Sequence, residues 1–340
     1  MNKKFKILSI DGGGIRGIYP AYYFTLIEQE LGKRQDGKTK IKDHFQLITG
    51  TSTGGIIAIA LSLGIPANKI YKLYSDNAKK IFGSKRGFCS QLLKSAHKRD
   101  HLESLVRETL SEQFNGEDPR MNDCQTGVAI PIYDLLKGNP SVIKSPYHPN
   151  FKRDLHIPAY KVALATSAAP TYFDPYSTDY VDLDGINKPF KNKIDGGVVA
   201  NNPTMIGIME ALKAFNVELS DLEILSIGTG YKTFKEGESK RTNWGLNYWI
   251  RKDGRKRLIE LFMQSQSQLV ENHISLYCYG IDKINKKNPN FVYNRVNPSL
   301  CEDDYIEMDE SDSERIKNFS ELAMAEFHEN GREILETHFY

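Results

Sequence analysis

The stretch that decides the fold is HFQLITGTSTGGIIAIA, residues 44–60, in which two apolar runs flank a turn of small residues. The first run predicts a short buried strand, and the second run predicts a helix. The turn between them, Gly50-Thr51-Ser52-Thr53-Gly54, matches the pattern G-x-S-x-G. This pattern is meaningful only between a strand and a helix, which is the context that the flanking runs predict.

The turn is suited to present Ser52 as a nucleophile. A residue on a tight strand-to-helix turn has strained backbone angles, and glycines two residues to either side remove side chains that would collide there. The first helical N–H groups also favour negative charge that develops on a bound ester. The alternative is an ordinary turn of glycine, serine and threonine that caps a helix.

A second strand, turn and helix unit opens the chain. The apolar run FKILSI leads into DGGGIRG, residues 11–17, and an amphipathic stretch to Leu31 follows. Because GGGIRG satisfies G-x-G-x-x-G, a dinucleotide-binding protein is a competing interpretation. Such a protein needs an acidic residue at the end of its second strand, about 20 residues further on. Here the second strand ends in the serine turn, and Glu28 and Glu30 fall inside the first predicted helix.

A hydrolase uses the same glycine loop differently. Gly12, Gly13 and Gly14 can offer backbone N–H groups to a tetrahedral oxyanion, with no side chains in the way. Arg16 is expected to hold this loop or to contact a phosphate. A plain surface salt bridge is the alternative role for Arg16.

Asp195 is the predicted general base. It ends the predicted strand KNKID and precedes Gly196 and Gly197, which allow a sharp turn. We expect Asp195 and Ser52 to lie at the carboxyl ends of parallel strands, where a direct hydrogen bond is feasible. Three histidines on polar, helical segments are the alternative bases: His273, His328 and His338.

Composition limits the other classes of function. The 340 residues carry 45 Lys and Arg against 43 Asp and Glu, which gives no overall field for binding a nucleic acid polymer. The four cysteines are far apart, so neither a zinc site nor a disulfide framework is expected. The most apolar stretch, residues 56–65, is about half the length of a membrane span, and the N-terminus does not resemble a signal peptide. We therefore expect a cytoplasmic protein that contacts membranes at most peripherally.

DGGGIRG, GTSTG and DGG, in this order, resemble the motifs of the patatin-like phospholipase family. The resemblance covers residues 6–231, and ATSAAPTYFDP and SIGTG are also similar to family segments. It implies a three-layer α/β fold with a mostly parallel central sheet flanked by helices. It also implies Ser52 as the nucleophile, Asp195 as the base and Gly12, Gly13 and Gly14 as the oxyanion loop, with no metal or organic cofactor.

The resemblance implies hydrolysis of fatty-acyl esters of membrane phospholipids at the inner face of the membrane. The chain also resembles bacterial patatin-like effectors that cyclic dinucleotides activate in antiphage defence, so such a ligand is a candidate activator. A homo-oligomer is left open. A non-catalytic lipid-binding module is the other alternative, and the presence of both Ser52 and Asp195 disfavours it.

We expect a catalytic domain over residues 1–230 and a C-terminal extension, residues 231–340, packed on the same domain. The extension begins with a basic aromatic segment, residues 231–257, with nine Lys or Arg, three Asp or Glu and both tryptophans of the chain. This composition suits an anionic bilayer or a cyclic dinucleotide. A solvated loop whose tryptophans pack on the core is the alternative. Helices near 258–277 and after Ser311, with a strand near 291–296, are predicted to follow.

Overall fold

The computed structural model describes residues 4–34, 37–83, 95–233, 245, 248–249, 256–280 and 289–340. Strands in these ranges form one eight-stranded sheet with the order β5-β6-β3-β2-β1-β7-β8, and β4 pairs with β3. The strands are β1 Phe5–Ile10, β2 Leu47–Gly50, β3 Gly127–Asp134, β4 Asn139–Lys144, β5 Tyr176–Val181, β6 Asn187–Asp195, β7 Leu222–Ile227 and β8 Val292–Val296.

Helices cover both faces of the sheet, which gives the predicted three layers. The α-helices in the described ranges are α1 Ile18–Leu31, α2 Thr53–Ser62, α3 Ala67–Ser75, α4 Ala78–Phe82, α5 Asp100–Ser111, α6 Ala159–Thr166, α7 Gly197–Ala200, α8 Thr204–Ala214, α9 Lys256–Tyr279 and α10 Ser313–His338.

The alternation of side chains along β1 shows how the layers are built. Leu8 and Ile10 point into one apolar cluster, which contains residues of α1, α2, α3 and α10. Phe5 and Ile7 point into the cluster on the opposite face, with residues of α8 and α9. Successive side chains of a strand alternate between faces, so a strand buried on both faces is apolar throughout. The continuous run FKILSI is typical of such a strand.

The sheet is mostly parallel, with an antiparallel part that brings the two predicted site residues together. β8, β7, β1, β2 and β3 run parallel in that spatial order. β4, β5 and β6 add antiparallel pairings. The expectation that Asp195 ends a strand parallel to that of Ser52 is therefore wrong.

β2 and β6 instead approach each other head-on along one side of β3. β4 pairs with Ala129 and with Ile132, and so occupies the other side of β3 at both levels. β2 pairs with the beginning of β3, up to Ala129, whereas β6 pairs with its far end, where Asp195 lies opposite Ile132. Since β3 extends beyond β2, the turn that follows β2 meets the last residue of β6.

Of two other local predictions, one is confirmed and one needs correction. The segment 174–185, predicted as a loop or hairpin, contributes β5 to a hairpin with β6. The helix predicted to continue to Pro170 ends at Thr166. The helix ends there because local hydrogen bonds replace those of a further turn. The Ser167 hydroxyl donates to the Ala163 carbonyl at 2.8 Å, and the Thr166 carbonyl accepts from Gly196 N–H.

The C-terminal part of the chain joins the same sheet and core. β8 pairs in parallel with β7, and α10 packs against α1. α10 begins at an N-cap, Asp312, whose carboxylate accepts from Glu314 and Arg315 N–H. The predicted division at residue 230 stays a prediction. Among the described helices, none combines the length and the apolar character that crossing a membrane requires.

Candidate active site

Ser52 lies on the sharp turn between β2 and α2. Its backbone angles, φ 54° and ψ −124°, are rare for a residue with a side chain. The turn needs both glycines of the motif, because a Cβ on Gly50 would lie 2.1 Å from the Gly54 carbonyl oxygen, and one on Gly54 would lie 2.4 Å from the Ile10 carbonyl oxygen. The strand, the helix and the close approach of β1 thus impose this backbone on Ser52.

The Ser52 hydroxyl donates a hydrogen bond of 2.7 Å to Asp195 Oδ2. The second oxygen of the carboxylate, Oδ1, accepts from Gly197 N–H at 2.6 Å. Asp195 is 1% exposed, and this burial raises its pKa to about 7, although both hydrogen bonds oppose the shift. Because no cation pairs with it among the described residues, desolvation governs this carboxyl.

Thr166, at the end of α6, fixes the geometry of this pair and was not singled out by the sequence analysis. Its hydroxyl accepts from Ser52 N–H at 3.1 Å and donates to the Pro131 carbonyl at 2.8 Å. Its carbonyl accepts from Gly196 N–H. One residue therefore ties the serine turn, β3 and the turn after Asp195 together. Thr166 lies within ATSAAP, a segment similar to those of the resembled family.

The glycine loop lies beside Ser52. A Cβ on Gly12 would lie 3.1 Å from Ser52 Cβ, so the loop and the serine turn are in close contact. Gly12 N–H donates to the Asn201 carbonyl at 3.1 Å and is therefore already used. Within the described parts of the chain, Gly13 N–H and Gly14 N–H have no hydrogen-bond partner. These two groups are the ones left for a ligand.

An apolar cavity adjoins Ser52 and Asp195. It has a volume of about 40 Å³ and is lined by aliphatic and aromatic side chains, including Ile56, Phe82 and Met308. Apolar walls beside a reactive hydroxyl suit a hydrocarbon chain. The volume holds only a few water molecules, so an acyl chain requires the walls to move apart.

A larger polar cavity of about 1010 Å³ lies on the other side of the glycine loop. Its walls include Gly12, Arg16 and Tyr305. Met263 and Met308 line both cavities. The two spaces are thus separated partly by two flexible side chains.

Arg16 faces the polar cavity. Its Nε lies 3.5 Å from the Gly13 carbonyl oxygen, and its guanidinium lies 5.6 Å from the centre of the Tyr305 ring. Over the described ranges, Arg16 forms no ion pair, so the alternative role in a surface salt bridge is not what the structure shows.

The three histidines considered as alternative bases lie elsewhere in the fold. His273 and His328 are exposed. His338 is fully buried, with Nδ1 3.2 Å from Glu223 and Nε2 2.9 Å from Asn294. In the described ranges, neither Ser52 nor Asp195 is hydrogen-bonded to a histidine.

One group of side chains has spacing that could suit a metal ion: His156, Asp182 and Asp184. The side chains of His156 and Asp182 already serve the turn between β5 and β6. Asp182 Oδ1 accepts from the N–H groups of Asp184 and Ile186, and His156 Nδ1 accepts from Leu183 N–H. The cluster is therefore explained by the hairpin that it stabilises.

A family model described as patatin-like phospholipase matches residues 8–208, more than half of the chain. The chain belongs to the patatin-like phospholipase family. A patatin-like phospholipase is an enzyme that hydrolyses carboxylic esters. The matched region contains the glycine loop, Ser52 and Asp195, and it ends within α8, before β7, β8, α9 and α10.

Several relatives align over most of the chain. The cGAMP-activated phospholipase of Escherichia coli (strain TW11681) is 33% identical, with 96% of this chain and 91% of the relative covered. The cGAMP-activated phospholipase of Vibrio cholerae is 34% identical over 67% of this chain and 65% of the relative. Patatin-like protein 1 of Arabidopsis thaliana is 28% identical over 93% and 80% of the two chains.

The basic aromatic segment of this patatin-like phospholipase falls largely outside the described residues. Trp244 and Arg251 are among the residues outside the described ranges. Trp249 is half-buried, and its ring packs edge-on against Tyr248 with centroids 4.8 Å apart. The predicted roles of the segment stay predictions.

Proposed function

We propose that this protein is a serine lipid acyl hydrolase in which Ser52 and Asp195 form a catalytic dyad. The observation that carries the proposal is the 2.7 Å hydrogen bond between the Ser52 hydroxyl and the buried Asp195 carboxylate, on a strained turn. A nucleophile within hydrogen-bond reach of a base is the arrangement that acyl transfer requires. The raised pKa of Asp195 suits a general base that works near neutral pH.

The reaction proceeds in two acyl transfers. Asp195 accepts the Ser52 proton while the serine oxygen attacks the ester carbonyl carbon, and the carbonyl oxygen becomes an oxyanion. As the intermediate collapses, the alcohol of the lysolipid leaves and takes the proton from Asp195. Water then attacks the acyl-enzyme, gives a proton to Asp195 and releases the fatty acid, and that proton returns to Ser52.

Gly13 and Gly14 supply the oxyanion donors in this proposal. Their N–H groups have no partner among the described residues and lie on a loop that touches the serine turn. Gly12 is excluded from this role because its N–H donates to Asn201. Preorganised donors of this kind are worth about 10²- to 10³-fold in kcat each.

The substrate class is the membrane phospholipid. The apolar cavity at Ser52 accepts the acyl chain, and the protein acts on the inner face of the membrane by peripheral contact. The family assignment and the apolar lining support this choice. The small volume of the cavity supports a resting form that opens before the acyl chain enters.

A cyclic dinucleotide is the proposed activator. Two relatives are named cGAMP-activated phospholipases. The polar cavity contains Arg16, which forms no ion pair among the described residues, and Lys232, whose Nζ lies 2.6 Å from Glu302 Oε2. Both cations lie within 5.6 Å of the centre of the Tyr305 ring, and cations can hold phosphates while aromatic rings can stack on bases. Met263 and Met308 line both cavities and partly separate them, so a ligand that moves these side chains can change the room beside Ser52.

The test of the dyad measures fatty-acid release from phospholipid vesicles, with and without cGAMP, together with hydrolysis of a short soluble ester. Ser52→Ala and Asp195→Asn should each abolish both activities, and the double variant should lose no more, because the two residues act as one unit. Asp195→Asn with most of its activity left would contradict the dyad.

Two buried residues of the same types serve as matched controls. Ser62 donates to the Ile59 carbonyl within α2, and Asp134 pairs with Lys193 on β3 and β6. Ser62→Ala and Asp134→Asn should keep wild-type kcat wherever they remain folded. If the short ester is cleaved but no lipid is cleaved under either condition, the proposed substrate class is wrong.

A further inference from the structure

Asp11 is a buried carboxylate at the start of the glycine loop that the proposed mechanism does not use. It directly follows β1 and is 3% exposed. Its two oxygens accept from the guanidinium of Arg295, with Nη1 to Oδ1 at 2.9 Å and Nη2 to Oδ2 at 2.5 Å. A bidentate pair of this kind fixes the direction of the carboxylate as well as its position.

Arg295 comes from the part of the chain that lies beyond the family match. It lies on β8, opposite Ser226 of β7, and its Nη1 also donates to the Ser226 hydroxyl at 2.8 Å. Its Nε lies 3.5 Å from Glu271 of α9. Burial lowers the pKa of Arg295, but the Asp11 carboxylate outweighs this effect and raises it above the ordinary value. The guanidinium is therefore charged and held by β7 and α9.

The glycine loop is held at both ends by residues outside the family match. Asp11 N–H donates to the Ile227 carbonyl of β7 at 3.0 Å, and Ile15 N–H donates to the Met308 carbonyl at 2.9 Å. Between these points, Gly12 contacts Ser52. A change in the position of Asp11 therefore moves the loop relative to the nucleophile.

Electrostatics points the same way. Without its arginine, Asp11 would be a buried and uncompensated carboxylate next to the loop. Burial already raises the pKa of Asp11, so without the arginine this carboxyl would take up a proton and lose both hydrogen bonds from the guanidinium. Arg295 thus favours the ionised form of Asp11 and holds the loop through two charge-assisted hydrogen bonds.

We propose that Arg295 is a positioning residue for ester hydrolysis, which acts through its ion pair with Asp11 to hold the glycine loop against Ser52. This inference rests on the proposed function, because it assumes that the loop stabilises an oxyanion. It assigns a role in catalysis to β8, about a hundred residues beyond Asp195 along the chain.

The test compares Arg295→Met with the wild-type protein, using a short soluble ester and a fluorophosphonate that reacts with Ser52. We expect kcat and the phosphonylation rate to fall together by about 10- to 100-fold, the effect of displacing a reacting group by about 1 Å. KM for the short ester should change by less than about threefold, because the ester-binding walls are intact. Arg295→Lys should recover part of kcat, since it keeps the charge but not the bidentate geometry.

A second ion pair between β1 and β7 provides a matched control. Lys6 and Glu223 lie opposite each other at the other end of the same two strands, with Nζ 3.0 Å from Oε1. Lys6→Met removes a cation from the same strand pair away from the glycine loop. It should lower the melting temperature while keeping wild-type kcat.

The outcomes separate the inference from the proposed function. Wild-type kcat and phosphonylation in Arg295→Met would overturn the inference alone. If that variant does not fold, the double variant Asp11→Asn/Arg295→Gln decides, because it removes both charges and keeps hydrogen-bonding groups. Normal kcat in the double variant overturns the inference, and reduced kcat at unchanged KM supports it. A wild-type protein that neither hydrolyses esters nor reacts at Ser52 would overturn the proposed function itself.

Discussion

At the scale of single residues, Asp195 shows how burial sets chemistry. An ordinary aspartate has a pKa near 3.9 and is a weak base for a serine hydroxyl. Here burial raises the pKa to about 7, while the Ser52 hydroxyl and Gly197 N–H stabilise the carboxylate. Burial at the last residue of β6 thus brings the pKa of Asp195 into the range in which the proposed base can work at neutral pH.

The pH dependence of kcat/KM should follow this carboxyl. Only the ionised form of Asp195 can accept the Ser52 proton, so kcat/KM for a soluble ester should rise with pH, with a midpoint near 7. A pH profile between 4 and 9 measures this. A midpoint close to 4 would contradict the effect of burial and would leave the dyad in place.

Stability provides a control that does not depend on turnover. Because the pKa of folded Asp195 lies above its unfolded value, the neutral carboxyl favours the folded state at low pH, and this contribution disappears as pH rises through 7. Asp195→Asn resembles the neutral form at every pH. The wild-type protein should therefore lose up to about 4 kcal/mol relative to this variant between pH 4 and pH 8. If the free energy of unfolding of the two proteins depends on pH in the same way, the pKa of Asp195 is not raised by burial.

At the scale of elements, the glycine loop depends on its backbone conformation. Gly14 has φ +61°, and a Cβ there would lie 2.2 Å from the Met308 carbonyl oxygen. Gly14→Ala should therefore lower kcat for a short ester by about 10² to 10³, as expected for a displaced oxyanion donor. Fluorophosphonate labelling of Ser52 should slow with it.

Gly138, in the turn between β3 and β4, is the matched control for Gly14. It has φ +65°, and no atom lies within 4 Å of an added Cβ. Gly138→Ala imposes similar backbone strain without disturbing a neighbour, so kcat should be unchanged. If kcat falls equally in both variants, general destabilisation explains the loss. If kcat does not fall in Gly14→Ala, the loop has only a structural role.

The direction of β6 is a feature that local sequence patterns do not predict. The strand–turn–helix context of Ser52 is contained in about 15 residues, so the sequence predicts it. The antiparallel direction of β6 depends on which strands neighbour β3, and that is decided by pairing between distant segments. The expected hydrogen bond between Ser52 and Asp195 is present, although the argument about the strand of Asp195 is wrong.

At the scale of the whole molecule, the C-terminal part of the chain completes the sheet and holds the site. β8 follows β7 at one edge of the sheet, and its Arg295 reaches Asp11, which lies 284 residues earlier in the chain. No spacing rule relates two such residues, because their contact exists only once β1, β7 and β8 are paired in that order. Sequence patterns thus predict motifs inside one unit better than the contacts that position those motifs.

Charge distribution is the last feature of the whole molecule, and it leads to a prediction about membranes. The chain has a net charge of only +2, whereas the basic aromatic segment, residues 231–257, carries +6. Each cation near anionic headgroups contributes about 1 kcal/mol to binding. Neutralising the five cations within residues 251–257 should therefore weaken binding to anionic vesicles, and salt should weaken the wild-type protein likewise. Hydrolysis of a short soluble ester should be spared because Ser52 and Asp195 are unchanged.

A matched control removes the same number of charges from paired cations elsewhere: Lys69, Lys188, Lys191, Lys317 and Arg332. These side chains are spread over the surface and each lies beside a carboxylate, so their loss should change vesicle binding less than loss of the clustered cations. Sedimentation with vesicles of rising anionic lipid content measures the difference. If vesicle binding weakens equally in both variants, net charge alone explains the effect. If the variant with residues 251–257 neutralised binds vesicles normally but no longer responds to cGAMP, the segment takes part in ligand sensing instead.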